Sequence, residues 1–190
     1  MKFDKFKFND VWLVSSEVHS DERGFFRETF RRDKFYEVSG LSFEAQQINV
    51  SSSTKGVLRG IHFSTSKLGQ AKWVSCIKGE IRDYIVDLRH DSETFGEWVS
   101  VILSEDNGKS VIIPAGFGHA FEAHSEESLI SYALTSPYDP NTEMAINPFD
   151  TTLNITWELI NPRMSERDKS APTLKDQISL GNIGSDNLLL

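Results

Sequence analysis

The sequence predicts an all-β domain of the jelly-roll kind on three observations. Short runs rich in β-branched and aromatic residues recur from about residue 10 to residue 160. Glycine, proline, asparagine or aspartate fences most of them, as expected of strands joined by tight turns. Nine or ten such runs in a chain of 190 residues suit two packed layers.

Asp33 to Ser39 reads as a short helix, with Asp33 as its cap, Gly40 as its stop, and Phe35 and Val38 on one face. Gln47 to Val50 reads as a strand. Ala71 to Arg89 is the clearest case: Trp73, Ser75 and Ile77 alternate with Val74, Cys76 and Lys78, Gly79-Glu80 punctuates, and Tyr84, Val86 and Leu88 share a face. That pattern predicts a hairpin. Trp98 to Leu103, Ser110 to Ile113, Leu129 to Thr135 and Leu153 to Trp157 read as further strands, and Ser165 to Lys169 as one helical turn. No repeat or linker interrupts the chain, so a single domain over residues 1–175 with a polar tail over 176–190 is expected.

A hydrophobic fraction of 38% with 12 glycines is ordinary for a folded domain. Acidic residues outnumber basic ones by 28 to 20, for a net charge of −8. That field is opposite to a nucleic-acid binder's, although a local basic patch can still hold a nucleotide's phosphates. Cys76 is the lone cysteine and has no intrachain partner. The first residues lack the apolar core of a signal peptide, and no run approaches the roughly 18 apolar residues of a membrane span. A cytoplasmic protein with no membrane partner is expected.

Two of the five histidines sit in strand-like, polar-rich contexts. His62 lies in Leu58-Arg59-Gly60-Ile61-His62-Phe63, and His119 follows the turn Ile113-Pro114-Ala115-Gly116-Phe117-Gly118. Each taken alone also reads as a hydrogen-bonded core imidazole. Pro114-x-Gly116-x-x-His119 resembles the second short motif of the cupin superfamily, whose members often bind a metal through three histidines and a glutamate. The first cupin motif is not matched: Phe63 and Ser64 follow His62, and the next glutamate is Glu80. A metal-free cupin is therefore expected.

Several segments in one order carry a more specific resemblance. They are Asp21-Glu22-Arg23-Gly24-Phe25-Phe26-Arg27-Glu28, Gln47-x-Asn49, Val57 to Phe63, Gln70-x-Lys72, and Asp87-Leu88-Arg89 through Trp98. The match continues with Ile113 to Phe121, Tyr132, Tyr138 with Pro140 and Glu143, Ile155-x-Trp157 and Ser165-x-x-Asp168. Together they resemble the dTDP-4-dehydrorhamnose 3,5-epimerase family. The resemblance implies a cupin-type jelly roll, a homodimer, and inversion of carbons beside the C4 ketone of a dTDP-4-keto-6-deoxyhexose, with no cofactor. It implies His62 as base, Asp168 as the carboxylate orienting it, Tyr132 as proton donor on the opposite face, and Lys72 beside the enolate oxygen. Arg59 and His119 would assist binding, Arg23, Phe26, Glu28, Gln47 and Asn49 would serve the nucleotide, and Tyr138 and Glu143 would line the substrate site.

Each residue has a plainer reading. Tyr132 also reads as an inward strand aromatic, Lys72 as a surface charge, Asp168 as a helix cap, and Phe25, Phe26 and Trp73 as core or base-stacking aromatics. Ser64, Gly118, Ala120 and Ile48 stand where family members commonly have Gln, Ala, Gly and Asp. These departures place the chain nearer to relatives serving unusual deoxysugars. Inversion at C3 and C5, inversion at a single centre, and a sugar-binding cupin without turnover are the readings carried forward; a metal-dependent oxygenase is disfavoured by the ligand count.

Overall fold

Alternation along the strands sorts apolar side chains onto both faces of two sheets. A computed structural model describes residues 1–184. In chain order it forms β1 (Lys2–Lys5), β2 (Trp12–Ser15), β3 (His19–Asp21), β4 (Gly24–Phe26), α1 (Arg32–Ser39), β5 (Gln47–Thr54), β6 (Leu58–Ser64) and β7 (Lys72–Lys78). There follow β8 (Glu80–Asp87), β9 (Trp98–Ser104), β10 (Lys109–Ile113), β11 (Phe117–Ala123), β12 (Glu127–Leu134), β13 (Glu143–Ala145), α2 (Glu166–Lys169) and α3 (Leu174–Ser179). A six-stranded sheet runs β1-β2-β10-β7-β12-β5 and a five-stranded sheet β13-β6-β11-β8-β9, with all strand pairs antiparallel; β3 and β4 form a separate ribbon. This is the expected cupin-type jelly roll. Among the described residues no helix is long and apolar enough to cross a membrane.

Val74, Cys76, Val111, Ile113 and Ile130 of the first sheet meet Ile81, Ile85, Val101, Leu103, Phe117 and Phe121 of the second in the central core. The outer face of the six-stranded sheet carries Trp12, Val14, Trp73 and Ile112, covered by Phe35 of α1 and by Phe43. Trp73 is thus a core aromatic, with Phe3, Phe30, Phe35 and Phe43 around it. The outer face of the five-stranded sheet carries Phe63, Tyr84, Val86 and Ala120, covered by Ile146, Leu153, Ile155, Leu174 and Ile183.

The expected hairpin over Ala71–Arg89 is not formed. β7 belongs to one sheet and β8 to the other, and the chain crosses between them at Gly79. Gly79 has φ +73°, and a Cβ there would lie 2.3 Å from the carbonyl oxygen of Glu127. Gly79→Ala is therefore expected to cost about 2–4 kcal/mol, from the left-handed conformation and overpacking together. A lowered urea midpoint at unchanged slope would show it, and an unchanged midpoint would contradict it.

Leu153 to Trp157 is not a strand either. Its alternating Leu153, Ile155 and Trp157 pack onto the sheet from a loop, and the following N–H groups of Glu158 and Leu159 donate to the Glu122 carboxylate instead of to a strand. In α1, Asp33 is not the cap: Arg31 holds that position without a side-chain bond, and Asp33 sits in the first turn paired to Arg31. Phe35 is buried, but Val38 on the same short helix is exposed. The chain also keeps regular structure past residue 175. A capping box between Thr173 and Asp176 starts α3, and Leu174, Gln177 and Ile183 are buried. The rest of the expected tail, residues 185–190, lies outside the described residues.

Candidate active site

A pocket of about 240 Å³ opens at one end of the space between the sheets. The six-stranded sheet lines it with Asn49 and Ser51 of β5, Lys72 of β7, and Tyr132 and Leu134 of β12; Tyr132 lies directly across from Asn49 in the strand register. From the five-stranded sheet come Arg59 and His62 of β6, His119 and Phe121 of β11, and Glu143 of β13. Gln70, Tyr138 and Arg167 complete the lining from loops and α2.

Strict alternation would send Arg59 and His62, three residues apart, to opposite faces of β6. The register against β11 shifts between His62, opposite His119, and Arg59, opposite Phe121. The irregularity at Gly60-Ile61 re-aims the strand, as β-bulges do, so that both side chains reach the pocket. Only glycine fits there: a Cβ on Gly60 would lie 2.4 Å from that of Ala120.

His62 Nε2 lies 2.7 Å from Asp168 Oδ1. The imidazole is partly exposed to the pocket and the carboxylate is buried behind it. A carboxylate partner holds the ring proton at Nε2 and leaves the Nδ1 lone pair available. Ser165, and not Asp168, caps α2, which frees the Asp168 side chain to face His62 and the Gly60 N–H. Burial pushes the Asp168 carboxyl up, but the hydrogen bonds and charge of His62, Gly60 and Ser165 outweigh it and hold the group below its ordinary value.

His119 Nε2 makes a second such contact, 2.6 Å from Oδ2 of the fully buried Asp83. Here burial dominates, and Asp83 is pushed up despite His119 and Lys72. Lys72 is buried, not a surface charge, with Nζ 3.4 Å from the His62 carbonyl oxygen. Burial pushes its ammonium down, opposed by the charges of Glu143 and Asp83. Arg59 is braced by Ser53 Oγ and the Ser52 carbonyl, each at 3.0 Å. Gln47 stands behind the lining: its amide donates to Asn49 Oδ1 at 2.8 Å and accepts the Tyr138 N–H at 2.8 Å.

Within one chain, Arg23, Phe26 and Glu28 do not line the pocket. Arg23 pairs with Asp21, Phe26 is 66% exposed beside His19, and Glu28 pairs with Arg31. Arg27 anchors their ribbon to carbonyls of Cys76, Ser104 and Glu105, at the end of β7 away from Lys72. Asp83, Gln70 and Arg167 join the site although sequence reasoning did not single them out as site residues. Asp83 had a signal, an acid on the inward side of a strand that otherwise presents Ile81 and Ile85. Gln70 donates to Glu143 Oε1 at 2.8 Å, and Arg167 Nη2 donates to the Glu143 carbonyl oxygen at 2.8 Å.

A jelly roll whose two sheets bring an imidazole–carboxylate pair, a phenol and a buried ammonium to one pocket has the equipment of an acid–base isomerase. The profile of the family dTDP-4-dehydrorhamnose 3,5-epimerase matches residues 5–176, and the chain belongs to that family. It is 40% identical over 172 residues to a dTDP-4-dehydro-6-deoxyglucose 3-epimerase of a Streptomyces species, covering 90% of this chain and 88% of the relative. It is 41% identical over 168 residues to the dTDP-4-dehydrorhamnose 3,5-epimerase of Shigella flexneri, covering 88% and 93%. Among solved structures, a 4-keto-6-deoxy sugar epimerase from the novobiocin gene cluster of Streptomyces spheroides superposes with TM-score 0.93 at 36% identity, covering 97% of this chain and 93% of that one.

Proposed function

We propose that the protein epimerises a dTDP-4-keto-6-deoxyhexose at C3, C5 or both, without a cofactor, in deoxysugar biosynthesis. One observation carries the reading: His62 comes from one sheet and Tyr132 from the other, on opposite walls of a single pocket. A sugar ring between them has a base on one face and a proton donor on the other, the minimum for inversion. His62 removes the proton beside the ketone through Nδ1. The enolate oxygen forms next to the Lys72 ammonium, whose charge counts most in a site shielded from water. Tyr132 returns a proton from the far side, and Asp168 orients His62 and stabilises its charged form.

The pocket is smaller than the roughly 300–1,000 Å³ that enclose a drug-sized ligand, so it takes the sugar while the nucleotide lies along its mouth. Arg59 and Arg167 meet the diphosphate there. The exposed ribbon bearing Arg23 and Phe26, with Glu28 just after it, serves the nucleotide across a homodimer, each copy reaching the other's pocket. Gln47, Asn49, His119, Tyr138 and Glu143 complete the substrate site, in one catalytic domain of a cytoplasmic enzyme.

The deciding experiment incubates the protein with dTDP-4-keto-6-deoxyglucose in heavy water and maps deuterium by NMR. Uptake at C3, C5 or both, with inverted product, identifies the centres; no exchange on this substrate would overturn the assignment. Asp168→Asn is expected to lower kcat by about 10²-fold, the low end of what general-base help is worth, with KM little changed because Asp168 sits behind His62. Steady-state kinetics check it: an equal rise in KM would make Asp168 a binding residue instead. Because the folded state lowers the Asp168 value, its share of stability is in place above the ordinary carboxylate range. That share is lost as pH falls through the lowered value.

A further inference from the structure

The outer face of the five-stranded sheet carries a second cluster of ligand-type side chains, which the reaction does not use. Along β11, His119 and Phe121 face the pocket, so the intervening register turns Glu122 outward, followed just beyond the strand by His124. Glu122 is fully buried. Its Oε1 accepts the Leu159 N–H at 2.8 Å, and its Oε2 accepts the Glu158 N–H at 3.2 Å and the Tyr84 hydroxyl at 2.7 Å.

His124 Nε2 is shielded from solvent and has no hydrogen-bond partner. It lies 3.9 Å from Glu122 Oε2 and 3.7 Å from Glu158 Oε2, and one ligand atom from each of the three residues lies within 4.8 Å of the other two. These separations are too long for hydrogen bonds. They are close to the edges of a coordination shell: with bonds of about 2.0–2.2 Å to zinc, tetrahedral neighbours stand about 3.4 Å apart. Arg82 Nη2 holds the other oxygen of Glu158, Oε1, at 2.7 Å. It neutralises part of the local negative charge but leaves Oε2 turned toward the imidazole. The Leu159 N–H on Oε1 and the Tyr84 hydroxyl on Oε2 fix Glu122, the kind of outer support on which metal ligands depend, and an ion on Oε2 takes the place of the longer bond, the one from the Glu158 N–H at 3.2 Å.

We propose that Glu122, His124 and Glu158 form a zinc-type site with one imidazole nitrogen, two carboxylate oxygens and a place left for water. The mixed N/O donors favour a borderline transition ion over magnesium or calcium, which take oxygen shells. Glu122 and His124 belong to the sheet and Glu158 to the loop that covers it, so the ion clasps that loop to the sheet. It lies on the face opposite the pocket, and its function is stabilisation.

The test uses the full-length protein, stripped with chelator and titrated with zinc chloride. One zinc per chain is expected, with the thermal midpoint raised by about 5–10 °C when zinc stands 100-fold above its Kd. Cobalt(II) in its place should give the visible bands of a four-coordinate ion, whereas magnesium should give no shift. His124→Gln and Glu158→Gln should each abolish the midpoint shift and the cobalt spectrum while retaining epimerase turnover. Glu158 is half-exposed, so its variant covers failure of the other to fold. His62→Ala should still bind zinc. Absence of binding to folded wild type overturns the proposal, as does binding that survives both glutamine variants or disappears in His62→Ala.

Discussion

Replacing His62 with alanine is expected to slow solvent exchange at the carbons beside the ketone and epimerisation together, by about 10²–10⁴-fold or more. No other group at the pocket duplicates its position. His119 stands opposite it in the strand register and has its own carboxylate partner in Asp83, but its side chain is 11% exposed against 33% for His62, which leaves His62 the imidazole open to a substrate. The fold should persist, because His62 reaches the pocket while its neighbours Ile61 and Phe63 carry the packing. Rates of deuterium uptake measured beside an unchanged circular dichroism spectrum test this. A near-wild-type exchange rate would move the base elsewhere.

Tyr132→Phe separates the two halves of the reaction. The ring keeps its packing beside the central core and loses only the hydroxyl. Proton removal by His62 and enolate stabilisation by Lys72 remain, and the proton then returns from the side it left. Deuterium should therefore enter with retained configuration, while inverted product falls by about 10²–10⁴-fold at the carbon Tyr132 serves. NMR of the recovered sugar nucleotide reads both quantities in one sample. An equal fall in exchange and inversion would remove the support for Tyr132 as the opposite-face acid.

Strand identity was largely legible because burial on two faces writes alternation into the sequence. Strand pairing was not. β7 and β8 alternate in the same way whether they pair with each other or enter separate sheets, as they do here. Leu153–Trp157 misled for a related reason: a loop lying on a sheet can also bury every second residue, even with Asn154 in the left-handed region where no strand residue sits. In the site, His62, Lys72, Tyr132 and Asp168 were readable only together, through ordered family motifs. Asp83 was legible only as an acid alternating with Ile81 and Ile85, which does not say what it pairs with, and the inward aim of both Arg59 and His62 depends on an irregularity that alternation does not encode. The ribbon carrying Arg23 and Phe26 is exposed and away from the pocket, so nothing in the alternation of its residues ties it to the site.

The carboxylate behind His62 comes from α2, a helix of four residues at the periphery, 106 positions along the chain from the imidazole it supports. The segment around it is held by a serine cap, by bonds from Asn147 and Arg167, and by the docking of Leu174. Such an element is expected to open at lower free energy than the strands of the two packed sheets. The working temperature range is then expected to follow the undocking of residues 165–184, below the melting of the two sheets. Stability measured on the whole fold should then overstate it, and substitutions that tighten residues 165–184 against the sheet should extend useful lifetime more than improvements of the central core.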